Sequence, residues 1–230
     1  MKTKRTISVV LFVIIFATMI SCGDGDKPNP AWEQSTEKAY AQTVDVRTDE
    51  VLETFDDLME LLPDSSRTKL SKCLGYYKNQ FEEEFKDVMP QGMSEGSKTT
   101  LKVVELVIRG TAKKFKKSIW TLSETCYKLN RQYENQDSTS VLSPADDWKS
   151  EVILANLIED NSRYAFFRSM KFIINNGINC LDPDDFWSDK GTDLTPKVRF
   201  LRERVQDLMY VKLPDEMYNT LLTIETPAQY

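Results

Sequence analysis

The 230-residue chain contains no histidine. That excludes Ser-His-Asp and Cys-His catalysis, histidine metal sites and the usual imidazole pH switch. Glycine and proline are scarce, at 8 and 9 residues, and the prolines gather near the start and at apparent helix boundaries. No convincing two-residue apolar alternation and no Asn-Gly hairpin appears. There is no nucleophile elbow and no glycine-rich phosphate loop, so no catalytic residue and no cofactor is expected. The longest apolar stretch, Ile7 to Ile20, is broken by Ser8 and Thr18 and falls short of the roughly 20 residues that span a bilayer.

That stretch follows Lys2, Lys4 and Arg5 and runs into Met19-Ile20-Ser21-Cys22-Gly23. A charged start, a short apolar core and a small residue before a cut are the parts of a secretory signal. The arrangement resembles a bacterial lipoprotein signal, with Met19 to Cys22 as the lipobox. The resemblance implies a signal peptide over 1–21 and a lipid on Cys22. It places the protein in the cell envelope, at the periplasmic or outer face of an outer membrane. Met19 stands where lipoboxes usually carry leucine. The polar, breaker-rich segment that follows predicts a flexible tether over 22–31, ahead of a single domain over 32–230. Acidic residues just past Cys22 are similar to the surface-export signals of Bacteroidota lipoproteins.

Taking Lys2, Lys4 and Arg5 from the 30 basic residues leaves 27 against 36 acidic ones, a net charge of −9 for the mature chain. A nucleic-acid partner is excluded by that balance. The balance also argues against electrostatic adhesion to anionic lipid, so membrane attachment falls to the lipid, and two or three acyl chains suffice.

From Trp32 onward the apolar pattern is helical. Leu101, Val104, Ile108, Ala112, Phe115, Ile119, Leu122, Cys126, Leu129 and Tyr133 recur every three or four residues, a period of about 3.56. They predict one helix from just after Gly96 to about Tyr133, roughly 50 Å long. Val51, Phe55, Leu58 and Leu62 form a stripe ended by Pro63. Another runs Leu70, Cys73, Tyr77, Phe81, Phe85 and Val88, with Asp64-Ser65-Ser66 as candidate caps. Ser143-Pro144 and Thr195-Pro196 read as helix starts. The first leads Trp148, Val152, Ala155 and Leu157 inward, with a break or cap at Asp160-Asn161-Ser162 before Tyr164, Phe167, Met170 and Ile174. The second carries Val198, Leu201, Val205 and Leu208. A brief extended piece is expected at Val211-Lys212-Leu213, and a last helix from Pro214 to about Glu225. The fold class is therefore all-α: a single bundle of about five to seven helices around one long central helix.

Cys73, Cys126 and Cys180 remain once Cys22 is lipidated. Antiparallel neighbours would hold Cys73 far from Cys126, and a kink would be needed to bring Cys180 to either, so core-packed free thiols are expected. Lys113, Lys114, Lys116 and Lys117 form a basic cluster, either a docking patch for an acidic partner, a glycan phosphate or a lipid headgroup, or a solvated helix face; charge runs usually mean the latter. Glu82-Glu83-Glu84 cannot act as a facing carboxylate pair, because neighbours on one helix diverge by about 100°. The loop after Leu181 holds Asp182, Asp184, Asp185, Asp189 and Asp193, weak candidates for calcium ligands that lack the EF-hand pattern. In the same loop Phe186 and Trp187 are candidate partner anchors, or else a plug over the bundle end.

Small, acidic helical lipoproteins of this kind resemble those that neutralise antagonistic toxins. The expectation is a lipid-anchored module that binds an unidentified protein partner, with toxin immunity as one version. The alternatives are an accessory lipoprotein of an envelope-spanning assembly and a histidine-free enzyme acting on envelope polymers.

Overall fold

The computed structural model describes residues 30–87, 100–134 and 146–225. The leader, Cys22, most of the tether, Val88, Pro90 and Ser143-Pro144 lie outside them. A first unit ends at Glu33 and contains the four-residue helix α1 (Pro30–Glu33). The second begins at Gln34 and holds everything else. Within it are α2 (Thr36–Leu61), α3 (Asp64–Gly75), α4 (Lys78–Glu84), α5 (Thr100–Glu134), α6 (Asp146–Asn176), α7 (Thr195–Met209) and α8 (Asp215–Glu225). It is an all-α bundle, and no strand forms among the described residues.

The central element is α5, 35 residues long and about 50 Å at 1.5 Å per residue. From Leu101 to Leu129 every apolar position of its predicted stripe is buried. Val103, Val107, Thr111 and Ser118 are buried as well, so helices pack on more than one side of it. Helix α6 runs antiparallel to it. Thr111 and Ser169 hydroxyls meet across the contact at 3.0 Å, and the Phe115 and Phe166 rings stack at 6.0 Å. Helix α2 is also antiparallel, with Asn130 donating to Glu37 at 2.9 Å near one end and Arg109 paired with Asp56 further along.

Ser35 caps α2 by accepting from the Lys38 N–H. Its buried face starts at Glu37, Tyr40, Ala41, Val44 and Thr48, well before the stripe read from Val51; the polar Thr48 hides its hydroxyl on the Val44 carbonyl. Pro63 terminates the helix as expected, with Leu62 extended and its N–H on Leu58.

Four local expectations change. The stripe from Leu70 to Phe85 is two helices, because the turn at Tyr76-Tyr77 shifts the phase and leaves Tyr77 exposed. Asp64 is already helical and no side chain caps α3, while Ser66 is buried and reaches Asp185 instead. Asp160-Asn161-Ser162 does not interrupt α6, whose 31 residues are continuous. Residues 211–213 are coil, not extended pairing. Helix α7 starts as read, although the Thr195 N–H is taken by the Asp193 carboxylate.

The thiol expectation is overturned. Cys73 at the end of α3 and Cys180 just beyond α6 form a disulfide, with Cα atoms 6.5 Å apart. The chain turns sharply at Gly177 into a short 3-10 turn, Ile178–Cys180, and that turn supplies the kink. A Cβ at Gly177 would sit 2.7 Å from the Ile173 carbonyl and 2.8 Å from Leu70, so only glycine lets α3 and the end of α6 approach. Cys126 is the free, fully buried thiol, pushed up to about 12 by burial and then by the Glu37 charge.

Candidate functional site

The loop from Leu181 to Leu194 is an ordered structure. Asp182 and Asp185 cap its 3-10 turn, Pro183–Phe186, reciprocally. Trp187 then pairs with Asp193 in one antiparallel bridge. The reversal between them closes on Gly191, whose φ of +74° suits glycine. Lys69 of α3 fastens the loop to the bundle, its ammonium 2.5 Å from Asp182 and 2.7 Å from Asp185.

The aspartate candidates are thereby spent. Asp182 and Asp185 hold a lysine, Asp193 holds the start of α7, and Asp184 and Asp189 face solvent. Among the described residues no three carboxylates or thiols come together to hold a metal ion. The two aromatics divide. Phe186 packs against the core, as a plug would, and Trp187 stays 51% exposed.

The lysine cluster divides as well. Lys116 is clamped between Asp45 and Asp49 of α2 and serves the α2–α5 packing. Lys113, Lys114 and Lys117 are exposed, and among the described residues no carboxylate pairs with them.

A concave surface lies elsewhere, between α6 and α7. Phe167, Lys171 and Asn175 recur every four residues on α6; Arg202 and Gln206 do so on α7, with Tyr210 one step on, just past its end. With Asn179, Ile174 and Val205 they line a cavity of about 340 Å³, within the usual range for ligand sites. The floor is apolar, with Ile174 and Val205 buried. The rims are polar. Arg202 donates to the Asn179 amide oxygen at 2.5 Å, and the Lys171 ammonium lies 4.8 Å from the Phe167 ring centre. Tyr210 stands 71% exposed at the mouth. Neither Lys171 nor Arg202 meets a carboxylate among the described residues; Lys113, Lys114, Lys117 and Arg199 share that state, so it is their place in a groove that sets Lys171 and Arg202 apart. Two uncompensated cations, amide groups and an exposed tyrosine over an apolar floor suit a carboxylate-bearing ligand with some apolar surface. The guanidinium fork is matched to carboxylate oxygens. None of these residues stands out in the sequence, since single cations on two separate helices form no cluster until the helices pair.

A second unusual group is buried. Arg163 bridges Glu159, Tyr40 and the Val211 carbonyl. Burial pushes the Glu159 carboxyl above the usual carboxylate range, against the pull of the Arg163 charge. Such shifts often mark active sites. Here the adjoining void is only about 10 Å³, room for no more than about one water, so the group is a structural tie between α2, α6 and the 211–213 segment. Compared with known proteins, the chain matches no family model, no curated sequence and no solved structure.

Proposed function

We propose that the protein is an envelope lipoprotein, held by acyl chains on Cys22, whose helical unit is a binding module for an acidic segment of another protein. The observation that carries the reading is the α6–α7 groove. It presents Lys171 and Arg202 without carboxylate partners, in a chain whose mature form would carry a surplus of nine negative charges. An acidic segment entering the groove would neutralise both cations and set apolar side chains on Ile174 and Val205. Arginine and tyrosine are the residue types that dominate interface energies. The overall acidic surplus favours a second version, toxin immunity, in which acidic surface outside the groove covers a basic cleft.

The test is cross-linking in intact cells with the native protein and the Lys171→Glu/Arg202→Glu variant. The groove reading expects a cross-linked partner that the variant loses by ten-fold or more. A partner kept by the variant would move recognition to the acidic surface. No partner in either case would sink the binding-module reading. Acylation is tested separately, by the mass of the N-terminal peptide and its loss of lipid in Cys22→Ala.

A further inference from the structure

Helix α6 has two apolar sides in its first half. Val152 and Ala155 face the core, while Ile153, Leu154, Leu157 and Ile158 point outward, between 42% and 58% exposed. Leu157 therefore departs from its expected inward place. The run Val152-Ile153-Leu154-Ala155-Asn156-Leu157-Ile158 is more apolar than one packed face requires, and the outward side groups four large aliphatic side chains over about one and a half turns. Tyr164 continues the stripe, with Arg168 over its ring at 5.3 Å. Exposed aliphatic clusters of this kind mark surfaces that meet a partner or a membrane.

Position decides between those two. Thr111 of α5 lies level with Ser169 of α6, and Asn130 of α5 level with Glu37 of α2. Counting along the antiparallel pair at 1.5 Å per residue puts Ile153 to Ile158 within about 12 Å, along the bundle axis, of Glu37. The chain enters this unit at Gln34. Helix α8 is held at the same end by Thr220 donating to Asn130 at 2.7 Å, and it too exposes Tyr218 and Leu222 one turn apart. Gln34 is 12 residues past Cys22, a length of chain that spans at most about 40 Å.

We infer that this end of the bundle lies on the lipid bilayer, with Ile153, Leu154, Leu157 and Ile158 dipping into the interface and Tyr164 and Tyr218 at headgroup level. The inference rests on the lipid-anchor reading above. Tyrosine suits that level because its ring is apolar and its hydroxyl wet. The contact is apolar, so it needs no anionic lipid. A chain held this way would stand with its α2 entry end against the membrane and the opposite end of the bundle, where Gly75 neighbours Thr100, pointing away.

The experiment uses the mature protein purified from membranes and reconstituted into phosphatidylethanolamine–phosphatidylcholine vesicles. An environment-sensitive fluorophore is placed at Leu157→Cys or, at the opposite end, at Tyr76→Cys; Cys126 is buried and the other pair is oxidised, so labelling is specific. Nitroxide-bearing lipids should quench the probe at 157 at least three-fold more than the probe at 76, equally in 0.1 M and 1 M salt. An acylated, vesicle-bound chain whose two probes quench alike overturns this inference and leaves the anchor reading intact. Unlabelled Leu157→Cys that oxidises to a disulfide dimer on the vesicles, with no preferential quenching of the labelled chain at 157, assigns the face to a second copy and also overturns it. A chain without acyl groups that fails to float with the vesicles removes the anchor reading, and this inference with it.

Discussion

Arg163 donates to Glu159 at 2.7 Å within one helix, and the same guanidinium reaches the Tyr40 hydroxyl at 3.0 Å and the Val211 carbonyl at 3.1 Å. One largely covered side chain thus joins three segments of the chain. Removing one partner from a buried ion pair leaves the other charge uncompensated, at a cost of about 3–5 kcal/mol. Arg163→Met should lower the urea midpoint strongly with little change in slope. Glu159→Leu/Arg163→Met should recover a good part of that loss. A double variant as unstable as the single one would show that the Tyr40 and Val211 bonds carry the tie.

The Cys73–Cys180 bridge closes a loop of 107 residues that contains the whole of α5. Chain-entropy reasoning gives such a closure an upper value of about 4–5 kcal/mol. Cys180→Ser should reduce thermal stability by an amount approaching that figure and leave far-UV circular dichroism unchanged. Peptide mapping without reductant should recover the 73–180 pair. Cys126 should resist alkylation at pH 8 until the chain unfolds, since its thiol is buried and its ionisation suppressed.

Gly177→Ala should destabilise by about 1–3 kcal/mol, the usual range for forcing atoms into a packed site. The added methyl would meet the Ile173 carbonyl and both Leu70 and Leu74. Leu70→Ala in the same chain should relieve part of the clash, so the two changes should combine to less than their sum.

The Lys69 hydrogen bond holds the Asp185 carboxyl below the usual carboxylate range, with burial opposing it and the Asp182 N–H assisting. A lowered folded-state value stabilises the loop above the unfolded pKa and loses that contribution as pH falls through the folded one. The tie should therefore be intact from about pH 5 upward and loosen below about pH 4. Carboxyl 13C shifts should show Asp185 titrating below an ordinary aspartate, and Asp185→Asn should change the environment of Trp187 at neutral pH. A titration at the ordinary value would show that Lys69 binds Asp182 alone.

The central helix was legible from sequence because ten apolar positions kept one phase across nine turns without a proline, and a single long helix leaves few ways to pack. The start of α7 and the extent of α8 were legible for similar reasons, from local signals at Pro196 and Pro214. Expectations failed where a local signal competed with packing. Asp160-Asn161-Ser162 reads as a stop but stays helical because Glu159 and Arg163, on either side of it, are bound into the core. Leu157 reads as core because its neighbours are apolar, yet the helix can bury only one side against α5.

By itself, then, the sequence determined the helical class, the acidic balance, the absence of histidine chemistry and the phase of the longest helix. All of these follow from composition or from contacts a few residues apart. Only the tertiary structure decided that Cys73 meets Cys180, that Lys116 is spent on α2, that Lys171 and Arg202 share a groove, and that four aliphatic side chains of α6 face outward. Each depends on which helices become neighbours and at what level they cross. Pairing of that kind is set by the sum of many weak contacts, to which no single stretch of sequence contributes enough to be read alone.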